Sequence, residues 1–314
     1  MLPVAAMPKA KARPEMSELF IDFARFFELS VALTEGQRAN VFRVRYSVYC
    51  EEFGYEDAER FKDGLETDSH DEHSIHCLVT HKESGLPAGC VRLVTPNEGE
   101  VMPLEEHCLD SLDAEFFAGM QNRRATMAEI SRLAVDGQFR RRRGEKESRF
   151  GNTKEMQFEA REERTFPLIA ISLFLAAAAC ADLMRRRDCF AIMEPFLPVI
   201  LRRTGVVVKR VGDDFEHRGT RAPYYIQIEE LKRTAPEELK LCFEVVRAQF
   251  AEVLEPEAGR KVSRRRSEIG ADMNAGFRSD NSPDNSPDNS PDNSPDNSPD
   301  NARLADLLHA GATS

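Results

Sequence analysis

Two groups of charged residues stand where charge is out of place. The first is Glu66-x-Asp68-x-x-Asp71, directly ahead of a β-rich run. Three carboxylates this close repel one another unless water or cations match them. Such a run is either a solvated acidic loop or the wall of a pocket for an amine-bearing molecule. The second is Glu129-Ile-Ser131-Arg132, set in a stretch otherwise as apolar as Ile130, Leu133, Ala134 and Val135. A separation of three puts Glu129 and Arg132 on opposite faces of a regular strand. They share a site only across a bulge, a device common beside active sites; an ion pair on an edge strand is the plain alternative. Arg92, inside Gly89-Cys-Val-Arg-Leu, either pairs with the acidic loop or binds an anion.

These residues need elements to position them. Thr34-Glu-Gly-Gln37 has the spacing of a capping box, and Val41, Val44, Val48 and Tyr49 behind it recur with helical period, so a helix carrying Arg45 runs to Cys50. Residues 75–80 and 88–94 read as an antiparallel strand pair, 126–135 as a third strand. A charged stretch over 137–164 leads to the apolar run 166–184, expected as a buried core helix rather than a membrane span. A strand at 188–193, a helix near 196–203 and strands near 205–211 and 223–228 follow, giving a mixed α/β fold with an antiparallel start.

Of the 314 residues 41% are hydrophobic, with 20 Phe and no Trp, enough for a sizeable core filled by Phe and Leu. A net charge of −11 speaks against a general nucleic-acid binder or a coat on anionic membranes. The seven cysteines are odd in number, lack C-x-x-C spacing and sit partly in apolar runs, which reads as reduced thiols in a cytoplasmic protein. Residues 1–16 lack the apolar core of a signal peptide and are expected to be a loose tail ahead of one domain over 17–254. The remainder, 255–314, holds Asp-Asn-Ser-Pro five times over from Asp280 to Pro299, a composition with nothing to bury.

Taken in order, Arg45, then Glu66-x-Asp68-x-x-Asp71, then Gly89-Cys-Val-Arg92-Leu, then Glu129-Ile-Ser-Arg132-Leu-Ala-Val resembles the acyl-homoserine-lactone synthases. Met193-Glu-Pro-Phe-Leu, Gly205 and Arg218-Gly-Thr-Arg221-Ala-Pro-Tyr224 are more similar to a related group, the exosortase-system (PEP-CTERM) associated acyltransferases and N-acyl amino acid synthases. The resemblance spans roughly residues 20–230. It implies a GNAT fold, a mostly antiparallel mixed sheet flanked by helices, and an acyl carrier protein or CoA thioester as acyl donor, with no bound cofactor. Lactone synthases usually carry a Trp after the first helix; this chain offers Phe53 or Tyr55 there, which sets their sulfonium-bearing methionine substrate in question. The GNAT phosphate loop is reduced to Gln138-Phe-Arg140-Arg141-Arg142-Arg143-Gly144. A loop with one glycine cannot cradle a pyrophosphate on its backbone alone, so arginine side chains would substitute. That favours the carrier protein as donor.

Those arginines, with Arg185 to Arg187 and Arg202-Arg203, are either a solvated basic surface or a docking patch for an acidic carrier. His70, His73 and His76 have helical spacing but run into a strand, where their rings diverge, so no metal site is expected. For transfer of a fatty acyl group to a small amine, Glu129 is the candidate base. A backbone N–H freed by the bulge would hold the oxyanion. Arg45, Arg92 and Arg132 would orient a substrate carboxylate, and Asp68 and Asp71, beside Glu66, the ammonium. With no Ser or Cys next to a His base in the pattern, transfer is expected to be direct. A lactone-forming signal synthase and a non-catalytic lipid-binding module are the alternatives.

Overall fold

The computed structural model describes residues 16–97, 99–140 and 158–254. Helix α1 (Met16–Phe26) leads into the edge strand β1 (Phe27–Val31). The N-terminus of α2 (Glu35–Tyr46) is closed by the expected capping box. Thr34 Oγ1 accepts the Gln37 N–H at 3.2 Å, and Gln37 Oε1 accepts the Thr34 N–H at 3.0 Å. The helix does not stop at Tyr46 but widens into a π turn, Ser47–Glu52. Strands β2 (Ser74–His81) and β3 (Pro87–Val94) form the expected hairpin. Two short helices, α3 (Pro103–Cys108) and α4 (Ala114–Met120), precede β4 (Met127–Val135). After α5 (Ala160–Glu163) come α6 (Pro167–Leu183), β5 (Asp188–Met193) and α7 (Leu197–Arg203). The chain continues through β6 (Lys209–Arg210), β7 (Phe215–Glu216), β8 (Thr220–Gln227), α8 (Ile228–Thr234) and a last helix, α9, over 237–254.

The strands lie in the order β1-β2-β3-β4-β5-β8-β6, with β7 on β8. All neighbours are antiparallel except β4 and β5, which are parallel. That parallel pair registers only from Met127↔Asp188 to Glu129↔Phe190, although β4 runs on to Val135 and β5 to Met193. The two strands therefore part beyond Glu129 and leave a wedge in the sheet.

Helix α6 is apolar around its whole circumference because it is covered on every side. Leu173, Phe174 and the run Ala176–Ala181 are all buried, against β2, β3 and β4 on one side and α1 and α8 on the other. No helix among the described residues is long and apolar enough to cross a membrane. The opposite face of the sheet is closed by α2, through Val41, Val44 and Val48 against Leu78, Cys90 and Ala134, and by α3 and α4, through Leu104 and Phe117 beside Met127 and Phe190. All seven cysteines are free thiols, six of them buried.

Several elements depart from the sequence reading. The 205–211 strand is reduced to Lys209–Arg210, and α1 already begins at Met16. Strands β1 and β7 and helices α1, α3, α4, α5, α8 and α9 were not anticipated. The repeat tail lies outside the described residues.

Gly89 fixes the spacing of the layers. A Cβ there would stand 2.9 Å from the Ala134 carbonyl oxygen and 3.0 Å from Leu173 Cδ1, so β3, β4 and α6 meet at a point with no room for a methyl group. Gly89→Ala is expected to lower stability by about 1–3 kcal/mol, read as a fall in the urea midpoint.

Candidate active site

The register of β3 against β4 slips between Cys90↔Ala134 and Arg92↔Ser131, so two residues of β4, Arg132 and Leu133, oppose Val91 alone. Arg132 takes φ +52, the left-handed region that a side chain seldom adopts. The bulge that the sequence required is present, and its effect is read from the faces. Ala128, Ile130, Leu133 and Val135 pack into the core under α6, while Ala134 packs under α2. Inward positions step by two up to Ile130, then by three, which leaves Arg132 on the outward side with Glu129 and Ser131.

Arg132 there meets the acidic loop. Its Nη2 donates to Asp68 Oδ2 at 2.8 Å and lies 3.4 Å from Glu66 Oε1 and 3.6 Å from Glu56 Oε1. Arg92 donates from Nε to Ser131 Oγ (3.0 Å), and from Nη1 to Asp71 Oδ1 (2.8 Å) and to Asp68 Oδ1. Arg45, on the buried face of α2, donates from Nε to Glu66 and from Nη1 to Asp71 Oδ1 at 2.6 Å. Arg218, from the β7–β8 turn, bonds the same Glu56 oxygen that Arg132 approaches. Arg45, Arg92, Arg132 and Arg218 thus face Glu56, Glu66, Asp68 and Asp71 in one network, and the exposed Arg60 lies 3.6 Å from the other Glu56 oxygen. Arginine charge beside Asp68 and Asp71 holds both carboxyls below the usual aspartate range, against the opposing push of their burial.

This geometry corrects part of the substrate reading. Arg45 and Arg92 are 0% and 1% exposed. Their guanidiniums, expected on a substrate carboxylate, are occupied by the chain's own acidic loop. Asp71 and Glu66 are equally enclosed, at 5% and 1%. They align the arginines and cannot reach a ligand in this arrangement. What faces outward is Asp68, Arg132 and Arg218, whose side chains are 23%, 17% and 28% exposed.

Glu129 sits apart from the network, at the last paired residue before β4 and β5 separate. Its Oε2 accepts the Leu104 N–H at 2.7 Å, at the start of α3, and it is 1% exposed. Burial pushes its carboxyl up to about 8; the Leu104 hydrogen bond and the charges of Arg92 and Arg132 oppose that push without cancelling it. A carboxyl that takes up and releases a proton near neutrality is suited to acid–base work.

Around this centre stand aromatic groups, some of them named from the sequence and others not. Phe53 stacks on Tyr55 at 5.1 Å, with Arg140 over Phe53, Arg221 over Tyr55 and Arg132 over Tyr49. His107, on α3, stacks on His217 of the β7–β8 turn with centroids 4.6 Å apart. Only tertiary structure joins the two histidines, so spacing held no signal for them.

Two arginines of the basic patch have partners within the chain. Arg186 donates to the carbonyls of Ala125 (2.9 Å), Met127 and Pro96 (both 3.2 Å), clamping the entry to β4. Arg140 pairs with Glu52, and Arg141, Arg142, Arg143 and Gly144 lie outside the described residues. The three histidines separate, His70 toward Glu106, His73 toward Glu100 and His76 toward Asp71. A serine does lie beside a histidine: Ser84 Oγ and Glu162 Oε1 are each 2.7 Å from the His81 ring nitrogens. It is a turn cap. The N–H groups of Ser84, Gly85 and Leu86 are consumed by His81 Nδ1, the His81 carbonyl and Ser84 Oγ, which leaves none for an oxyanion.

Residues 44–147, from α2 through the bulged strand, match the family model described as acetyltransferase (GNAT) domain. The fold is that of a GNAT acyltransferase. Solved structures similar to this chain include TofI in a ternary complex with an inhibitor and MTA (18% identity, TM-score 0.47, covering 70% of this chain and 96% of that one). The AHL synthase LasI shows 15% identity and TM-score 0.42 over 67% and 96%. FeeM, an N-acyl amino acid synthase from uncultured soil microbes, shows 14% and 0.44 over 67% and 94%. No curated protein matches the chain by sequence. In this GNAT domain the bulge of β4 lies inside the matched segment, and β5, from which β4 parts, follows it in the chain.

Removing one member of the buried network strands its partners. Arg45→Met is expected to cost about 3–5 kcal/mol by urea titration, because Glu66 and Asp71 are left charged without water. The stability that Asp68 and Asp71 contribute is complete above their unfolded value of 3.8 and is lost as pH falls below it. Acid titration of unfolding should therefore be shallower in Asp68→Asn than in the parent.

Proposed function

We propose that the chain is an N-acyltransferase that moves a fatty acyl group from a carrier-protein or CoA thioester to the amine of a small molecule, an amino acid being the acceptor that best fits the site. The observation that carries this reading is Glu129, a buried carboxyl with its proton affinity raised, at the vertex where β4 and β5 separate. Parted strands leave backbone N–H and C=O groups without sheet partners. An extended chain of amides, such as a pantetheine arm, can pair with them as an added strand does. The thioester carbonyl would then lie beside the bulge.

In the proposed step the amine lone pair attacks the thioester carbon, and Glu129 takes the N–H proton through a bridging water. A backbone N–H at the bulge stabilises the tetrahedral oxyanion. The C–S bond then breaks, and the thiolate recovers the proton from Glu129. Closeness and orientation supply the rest of the acceleration, which is the part that Arg132 and Asp68 serve. The relation to exosortase-associated acyltransferases rests on the motifs around Met193 and Arg218. The lactone-synthase alternative requires an S-adenosylmethionine acceptor and a lactone product, and mass spectrometry of the reaction separates the two outcomes.

Base catalysis needs ionised Glu129, so kcat/KM should climb as pH rises through about 8 and level off above it. Glu129→Gln should lose at least a hundredfold in kcat together with this pH dependence. Glutamine still accepts the Leu104 N–H and carries no charge. The glutamate's raised value favours the folded state at low pH, an advantage lost between 4.5 and about 8. At pH 9 the variant should therefore resist urea at least as well as the parent; full turnover by folded Glu129→Gln would remove the proposed base.

A further inference from the structure

Three described residues other than glycine have positive φ: Arg132, Arg185 and Arg218. Arg185 follows the C-terminus of α6, where the left-handed conformation is routine. The other two are not helix caps. Arg132 occupies the β4 bulge and Arg218 the β7–β8 turn, at φ +52 and +56, each held in a conformation that costs a side chain about 1 kcal/mol or more. These two elements are distant in sequence, yet both arginines are directed at a single oxygen, Glu56 Oε1.

We propose that Arg218 and Arg132 together grip the carboxylate of a zwitterionic acceptor, an α-amino acid, and that Glu56 is the internal partner of the two guanidiniums until it arrives. This rests on the acyl-transfer reading above and assigns the acceptor's recognition to Arg218. Arg132 has capacity to spare. Its Nη2 serves three carboxylates while its Nε is buried without a hydrogen-bond partner. Arg218 is more exposed than Arg45, Arg92 and Arg132. The two stacked histidines beside them add no charge of their own near neutrality. Burial, with Arg218 and Arg132 adding to it, holds the stacked imidazole of His217 down to about 4, and His107 is likewise lowered. The outward part of the network presents both signs, the arginine pair and Asp68, so a bare anion or a bare cation would meet only half of it. A zwitterion adds both signs at once, its carboxylate toward the arginine pair and its ammonium toward Asp68, the most exposed of the four acids. Guanidinium suits the first contact because its planar fork matches a carboxylate.

The test compares an amino acid with its own carboxamide as acceptors, using hexadecanoyl thioesters of CoA and of acyl carrier protein and reading N-acyl product by mass spectrometry. The parent should favour the acid over the amide by about tenfold or more in kcat/KM. Arg218→Ala should raise KM for the acid by about tenfold, with most of the effect in KM rather than kcat, and bring the two acceptors near parity. Glu56→Gln should move KM for the acid the other way, because it releases both guanidiniums from an internal rival. Should Arg218→Ala prove unstable through its stranded carboxylate, the Arg218→Ala, Glu56→Gln double variant removes both partners and must show the same parity. Acid and amide used equally by the parent, or an acid preference that survives Arg218→Ala, would overturn the assignment while leaving acyl transfer intact. If neither acceptor is acylated from either thioester, the acyl-transfer reading falls and takes this one with it.

Discussion

A fully buried guanidinium, Arg45, determines where everything else in this site stands. An arginine taken from water must be matched by charge and by hydrogen bonds, or it is not tolerated. Arg45 is matched by Glu66 and Asp71, which draws the acidic loop across α2 and onto the sheet. Asp71 then receives Arg92, and its other oxygen accepts the Asp68 N–H at 2.7 Å, so the loop's own backbone is fixed by the same carboxylate. Asp68 is thereby aimed at Arg132. Each link constrains the next, from a helix on one face of the sheet to the mouth of the wedge. Dense charge here acts as framework, and only its outermost members remain free to meet a ligand.

Glu129 uses the opposite device. It is close enough to Arg92 and Arg132 to feel them, but it is kept out of their hydrogen bonds and given one backbone N–H instead. Arginine charge holds Asp68 and Asp71 ionised inside the network, while burial raises the proton affinity of the carboxyl beside it. Two populations of acid therefore share one small volume with different proton affinities, separated by partner rather than by depth. The parting of β4 from β5 at that same residue brings the responsive carboxyl to the place where backbone is open.

Much of this was legible in the residues. The capping box at Thr34, the hairpin of β2 and β3, and the buried character of α6 followed from spacing and composition, because each is a local or one-dimensional property. The need for a bulge was legible as well, from charged positions three apart in a strand. The partners of the charges were not. Nothing in the spacing of Glu66, Asp68 and Asp71 separates residues that face a ligand from residues that neutralise Arg45 and Arg92, since both uses call for the same residue types. Burial decides between them, and burial is a tertiary quantity. For the same reason Glu56, its pairing with Arg218 and the His107–His217 stack stayed hidden, as contacts between segments with no local pattern. The short helices α3 and α4 were missed because their apolar residues are too few to declare a period.

Remove Arg132 from the text of β4 and the alternation reads unbroken: Ala128, Ile130, Leu133 and Val135 inward, Glu129, Ser131 and Ala134 outward. The arginine is an interpolation between two half-strands that already fit their neighbours. Gain of a single codon is thus enough to convert an ordinary strand into this one, and its loss restores the ordinary strand with every core contact in place. A scaffold built this way can acquire or discard a charged group at its cleft without recoding its interior. Strand length, more than residue identity, is then the quantity that heredity must guard here.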